Sequence, residues 1–405
     1  MIKYIIVFII LFPLGAINSV LYAPALPYIQ QSLHLSTGTI KSSITYALLG
    51  YTISQVIYGP LANIYGRKRM LITGMTVAIL GSILSLIAAY STNFNTMLIS
   101  RIIVGLGAGS GLILVYTMIN DLFTGVRARQ VTCAAVMAVA FAPGISSIIG
   151  GYLTHDFGYR SCFICLLIIN IIGLSAVFFI KETYKGNKIK LNLKEIYSGY
   201  KKAIKNYTVL KYSILYGLML IIIYNLVAVA PFISTYQFKM SASRFGTVFF
   251  FSYLGYASGN ICVMILVKYL KEKQMIKIGI TIISMMLLLM LCLDYSSRLN
   301  ALGFFIITFI MLIGIPFVIV NSSVLAFKSH NDKACASAIV NFVSMAIATI
   351  SVTVLGYFSI TNTKSLIFIL IGTSIAAILI NFLFKPENGK IKVVSSNTPL
   401  LEPMN

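Results

Sequence analysis

The side chains able to do acid–base, nucleophilic or metal chemistry are few in this chain and badly placed for it. The nine acidic residues are Asp121, Asp156, Glu182, Glu195, Glu272, Asp294, Asp332, Glu387 and Glu402, and none falls at the middle of an apolar run. His34, His155 and His330 sit in polar breaks. Cys133, Cys162, Cys165, Cys262, Cys292 and Cys335 lie within or beside apolar segments, without the spacing of a disulfide framework or a zinc site, and read as packing residues. The CxxC at Cys162 and Cys165 falls on an apolar helix, away from the βαβ pattern of a redox motif. No cofactor and no metal are expected. A membrane-embedded enzyme needs clustered carboxylates, His or Cys, which the apolar runs do not offer.

What remains is the chemistry of recognition. Arg101 is a lone charge inside an apolar run, where it costs a few kcal/mol and marks a solute pathway; lying only about five residues into its run, it has snorkelling to the outer surface as the other reading. Gly105 and Gly109 follow it at i+4 and i+8, leaving a groove on the same helix face. Uncharged polar residues interrupt the other runs: Asn18 with Tyr22 and Tyr51 with Gln55 at i, i+4; Tyr224 beside Asn225; Tyr253, Tyr256 and Asn260; then Asn321 and Asn341. Singly, each serves equally well as an interhelical contact. As a set facing one cavity they would bind and release a small molecule by hydrogen bonds. A cavity holding an Arg and no carboxylate would favour anionic or neutral solutes over lipophilic cations, which puts an anionic metabolite such as a polycarboxylate siderophore on the same footing as a drug.

Composition dictates the elements that carry these residues. The chain has 405 residues, 59% hydrophobic and 10% charged, with a mean hydropathy of +0.93, which excludes a soluble enzyme. Apolar runs fall near 4–27, 43–63, 70–90, 96–119, 131–153, 161–181, 210–232, 245–268, 275–294, 300–322, 334–358 and 365–384. Each has the length of a bilayer-crossing helix, so the expected fold is all-α, with twelve transmembrane helices. The first run follows Lys3 and contains Pro13, Pro24 and Pro27 with no small-residue cleavage site, and reads as a retained span. The formal charge of +22 would suggest a nucleic-acid surface in a soluble chain; here the basic residues lie between apolar runs, so no nucleic acid is expected. Of 31 Lys and Arg, 24 fall on one side of the alternating runs and 6 on the other, which sets both termini in the cytoplasm of an inner-membrane protein. The longest break divides the chain into a half at 1–181, a basic linker at 182–209, a half at 210–385 and a cytoplasmic tail at 386–405. The linker reads as a solvated basic segment, with or without an amphipathic helix on anionic headgroups, in preference to any specific binding role.

Between the second and third runs stands GPLANIYGRKRM, Gly59 to Met70. It resembles the loop signature of the major facilitator superfamily at Gly59, Leu61, Gly66, Arg67, Lys68 and Arg69, and departs from it at Asn63, where the family has an acid. RIIVGLGAGSG, from Arg101, is similar to the family's fourth-span pattern. AVMAVAFAPGISSIIGG, with Pro143, Gly144, Gly150 and Gly151, resembles the exporters' Pro/Gly motif with its first pair inverted; tight helix packing without exporter meaning is the equal alternative. NSVLYAPALP, MINDLF followed by RAR, and FGYRSCF narrow the resemblance to the bicyclomycin-resistance type of drug/proton antiporter. It covers the first half; the second half contributes chiefly span count. The resemblance implies a two-half fold, a loop that braces one half against the other, and export of a small molecule by alternating access with protons as the coupling ion. In that family an acid precedes the Tyr of the first span by two positions; here Val20 precedes Tyr22. Asp121, near Arg127 and Arg129, is the nearest substitute, and a structural salt bridge closing the cytoplasmic side is the preferred reading of it. An importer or facilitator without proton coupling is the alternative, and a sensor retaining a transporter scaffold a further one. The partners expected are a small solute, protons and the lipid bilayer, and a monomer suffices.

Overall fold

A computed structural model of the chain describes residues 2–184, 193–330, 332–358 and 361–383, and among them every regular element is a helix. The first span is broken into α1 (Ile2–Leu11), α2 (Leu14–Val20), a 3-10 turn at Ala23–Ala25 and α3 (Leu26–Ser32). Pro13, Pro24 and Pro27 stand at these joints, where each removes a backbone donor. The rest of the first half is α4 (Thr37–Tyr65), α5 (Arg67–Ser91), α6 (Phe94–Leu122), α7 (Gly125–Phe157) and α8 (Arg160–Phe178). A short helix, α9 (Leu193–Lys205), precedes the second half: α10 (Tyr207–Phe232), which runs into a π turn at Ile233–Gln237, then α11 (Ala242–Leu266), α12 (Glu272–Tyr295), α13 (Ala301–Lys328), α14 (Lys333–Gly356) and α15 (Thr363–Leu383). The result is a twelve-helix membrane fold in two six-helix halves.

Among the described residues, eleven spans are long and apolar enough to cross a bilayer by length and composition alone. The twelfth, α4, carries Ser, Thr, Gln and Lys41 along its length, yet most of it is buried against α6 and α14. Many helices begin before their apolar runs because their starts are capped. The side-chain oxygen of Ser36 accepts from Thr39 N (3.0 Å), that of Asn93 from Thr96 N (3.0 Å) and that of Asn300 from Gly303 N (2.8 Å), satisfying donors that the helix start leaves open. At ~1.5 Å per residue a helix as long as α4 measures ~43 Å against ~30 Å of hydrocarbon, so its ends stand among the headgroups. The stretch expected as a basic linker, 182–209, holds α9 and the first turn of α10; its residues 185–192, like the tail from 386 to 405, lie outside the described residues.

Helices within the first half approach closely where glycines face backbone. A Cβ on Gly105 would strike the Ala47 carbonyl, one on Gly50 the Ile102 carbonyl and one on Gly109 the Ser54 hydroxyl, so α4 and α6 interlock through small residues. The halves meet along α4 with α14 and α7 with α11, while the 3-10 turn of the first span packs on α10 and α11. On the side opposite the linker, hereafter the far side, the halves are sealed together. The Tyr236 hydroxyl donates to Gln30 Oε1 (2.6 Å), and Ala242 N donates to the Tyr28 hydroxyl (3.3 Å). Gly38 faces the Gly356 carbonyl, and Lys41 lies buried with its ammonium 5.3 Å from the Phe232 ring.

Candidate transport cavity

Between the halves lies a cavity of ≈ 120 Å³, walled by Phe12, Ala16, Tyr51, Gln55, Leu112, Val139 and Pro143 of the first half. Tyr216, Leu220, Ile223, Tyr224, Tyr253, Tyr256, Ile319, Asn341, Ser344 and Met345 of the second half complete it. Among the described residues the lining holds five tyrosines and no charged side chain. Sequence spacing explains much of this. Tyr51 and Gln55 are one turn apart on α4, and Tyr216, Leu220, Ile223 and Tyr224 form an i, i+4, i+7, i+8 stripe on α10.

Three polar groups of the wall are available to a solute. Gln55 Nε2 is engaged by the Tyr51 carbonyl (3.3 Å) and Ser54 Oγ (3.2 Å), but its Oε1 has no partner among the described residues. The buried Tyr253 hydroxyl likewise has none. Pro143 has no N–H to give Val139, which frees a carbonyl in the same wall. Buried and unmatched, the Gln55 oxygen and the Tyr253 hydroxyl each cost ~1–3 kcal/mol, which a bound molecule carrying a donor and an acceptor would recover. The cavity is small beside the ~300–1,000 Å³ usual for ligand sites, so occupation requires the halves to separate.

Of the cavity residues expected from sequence, Tyr51, Gln55, Tyr224, Tyr256 and Asn341 line it, and Arg101, Asn18, Tyr22, Asn225 and Asn321 do not. Arg101 is fully buried between the first span and α6. Its Nη2 donates to the Asn18 carbonyl where α2 ends, and its guanidinium stacks 4.1 Å above the Tyr22 ring; Nε and Nη1 have no partner among the described residues. The break in the first span turns Arg101 toward that span instead of the cavity. Asn18 and Asn170 exchange reciprocal amide bonds of 3.0 Å, and Asn170 reaches Ser82 Oγ (2.8 Å), tying three helices of one half together. Asn225 bonds Ser351 (3.2 Å), and Asn321 folds back on the Phe317 carbonyl (2.8 Å). Gly105 and Gly109 receive α4 and leave no open groove.

The basic loop is tied to its own half and to the residues just past α8. Gly66, at φ +98°, makes the turn that only glycine adopts freely. Arg67 Nε pairs with Asp121 (3.3 Å), its Nη1 donates to Asn63 Oδ1 (2.7 Å), and its guanidinium lies 4.4 Å over the Tyr184 ring. Glu182 accepts from Arg67 N (2.9 Å) and Lys68 N (3.1 Å), capping the start of α5, and Thr183 Oγ1 donates to Asp121 (3.1 Å). Asp121 therefore has a salt bridge, but with Arg67 rather than Arg127, which is exposed, or Arg129, whose side chain lies outside the described residues. Arg69 is exposed, and Gly59 has open space beside it. Of the exporter-like motif, Gly144 faces Phe250 and Tyr253 across the α7–α11 contact, Gly151 faces Ala242 and Gly246, and Gly150 meets the Leu21 carbonyl. Gly144 and Gly151 thus pack the two halves together, while Gly150 seats the first span of its own half.

Two helical halves closing on an uncharged central cavity, in a chain of many apolar helices, define a multi-pass membrane transporter acting on small molecules. The chain belongs to the Major Facilitator Superfamily, whose sequence profile matches residues 7–352. It is 26% identical over 343 residues to an MFS-type transporter of Bacillus subtilis, covering 83% of this chain and 84% of that one. It is 23% identical over 261 residues to the bicyclomycin resistance protein homolog of Haemophilus influenzae, covering 64% of this chain and 63% of that relative, under two thirds of its length. Among solved structures, the D-xylose-proton symporter shares its fold with a TM-score of 0.77 at 13% identity, covering 95% of this chain and 98% of that one.

Proposed function

We propose that the protein exports an uncharged, lipophilic, ring-bearing small molecule across the inner membrane by alternating access. Residues 1–181 and 210–385 rock about the cavity, and both termini face the cytoplasm. The observation that carries this reading is the lining: five tyrosines, Gln55 and Asn341 with no charged side chain, and an unmatched hydroxyl at Tyr253 facing the same space as an unmatched carbonyl oxygen at Gln55. Aromatic walls suit a flat apolar solute, and one donor with one acceptor fix its orientation without the cost of desolvating an ion. Export is supported by the relative named for bicyclomycin resistance, and orientation by the 24 to 6 division of basic residues. The anionic-metabolite reading rested on Arg101 facing the solute; with Arg101 outside the lining, it loses its support.

Purified protein in inside-out vesicles, offered chloramphenicol, ethidium or citrate as uncharged, cationic and anionic probes, tests this. The uncharged probe is expected to accumulate, and Tyr224→Ala and Tyr51→Ala to reduce its rate about tenfold, the worth of ~1.4 kcal/mol. Preferential accumulation of citrate would overturn the reading. Dependence on an imposed pH gradient separates proton antiport from the alternative, a facilitator without coupling.

A further inference from the structure

The helix between the halves has two faces with different chemistry. On the inner face Ala203 is fully buried and Tyr200 half-buried, and the helix packs on α10 and α14 of the second half, with Gly199 against Cys335 Sγ. The Tyr200 hydroxyl donates to the Val56 carbonyl (3.4 Å) of α4, in the first half. That carbonyl is available for a particular reason: its intrahelical donor would be residue 60, which is Pro60 and has no N–H. The linker helix therefore supplies from the second half a hydrogen bond that the first half cannot make for itself. Burial, with Cys335 and Asp332 beside it, pushes the Tyr200 phenol up to about 12, so it stays a donor at any working pH.

The outer face carries Lys194, Tyr197, Lys201, Ile204 and Lys205 at i, i+3, i+7, i+10 and i+11, all exposed, with Tyr197 66% and Ile204 42% accessible. Lys202 flanks this stripe, and the Lys201 ammonium lies 5.8 Å over the Tyr197 ring. An aromatic and an aliphatic side chain standing among lysines, on a helix at the level of the span ends, fit the composition of a helix lying in headgroups. A polynucleotide would be met by the lysines without use for Ile204. Lysines held near an anionic leaflet make the attachment salt-sensitive.

We infer that α9 is a strap answering to anionic phospholipid: its lysine and tyrosine face binds the headgroups of the linker-side leaflet, while Tyr200 on the opposite face ties the second half to the proline-freed carbonyl of α4. Lipid charge then sets how much of the protein rests in the conformation sealed on the far side. The inference rests on the proposed cytoplasmic position of the linker and not on the identity of the solute.

Spin labels at Thr92 and Ser297, in far-side turns of the two halves, read the conformation without any substrate. The full chain is placed in nanodiscs of phosphatidylcholine alone or with a quarter phosphatidylglycerol. The expected result is a severalfold rise in the short-distance population with phosphatidylglycerol, reduced by 0.5 M salt. The rise is absent from a variant with Lys194, Lys201, Lys202 and Lys205 changed to Gln, and from Tyr200→Phe, which keeps the ring and loses only the hydroxyl. Identical distributions in the two lipids, or a full response in either variant, would overturn the inference. So would the same response from inorganic phosphate added to phosphatidylcholine discs, because the ligand would then be a free anion and not the membrane. Failure of chloramphenicol transport leaves this readout unaffected, so the two proposals fail separately.

Discussion

Arg101 and the Asn18 carbonyl it holds are a pair made by two unlike irregularities, a charge inside a span and a break in its neighbour. Arg101→Ala removes a charge-assisted hydrogen bond worth ~1.5–3 kcal/mol and a cation–π contact of up to ~2 kcal/mol. The melting temperature of the purified protein is expected to fall by several degrees, less so for Arg101→Lys. The transport rate falls while the order of preferred solutes stays as it was; a changed order at unchanged stability would put the guanidinium back among the solute's contacts. At this scale the sequence was legible where helical spacing decides direction, as for Tyr51 with Gln55 and Tyr224 on an otherwise apolar helix. It was not legible for Asn18, Asn225 and Asn321, because an amide is satisfied equally by a neighbouring helix, by its own preceding turn or by a solute. Glu182 was missed for a related reason. A carboxylate just past a span reads as the start of a linker, and its use as the cap of α5 depends on where α8 ends in space.

Among the elements, α4 and α6 have the least tolerance. Gly105→Val places two methyl groups where the Ala47 carbonyl already stands, and overpacking of this kind costs ~1–3 kcal/mol. The expected outcome is loss of the monodisperse peak on size-exclusion chromatography after mild heating, with Gly59→Val, which meets open space, as the unaffected control. The spans themselves were readable to within a few residues because the bilayer imposes a length on every apolar run. Many of their true starts lie outside those runs because caps such as Ser36 and Asn93 continue the helix into polar sequence. The three pieces of the first span were foreshadowed only by its prolines, and whether Pro kinks or breaks a helix depends on what packs beside it. The salt bridge of Asp121 was foreseeable as a type but not as a partner, since Arg67 reaches it across the α5–α6 contact and not along its own chain segment.

For the whole molecule, the contact between the halves makes a prediction about motion. Cysteines introduced as Thr52→Cys and Thr349→Cys, in a background lacking the six native cysteines, are expected to join on oxidation, because these hydroxyls already lie 3.1 Å apart across the α4–α14 contact between the halves. The joined protein should stop transporting and recover with reductant; transport that continues while the bond is intact would mean the halves do not part here. Two halves were legible from the position of the long basic break. Which end of the molecule is closed was not, because one sequence supports both conformations and only their relative populations differ.

The polarity of α4 has a consequence for the making of the protein. As the chain leaves the ribosome, this helix, with Lys41 near its start and Ser, Thr and Gln along it, is the one least able to leave the translocon for lipid unaided. Its natural companion, α6, emerges some thirty residues after α4 is complete, carrying the glycines that receive it. A nascent chain cut after residue 66 should leave α4 accessible to protease, and one extended through residue 122 should protect it, so the second span enters the membrane only when the fourth arrives to escort it.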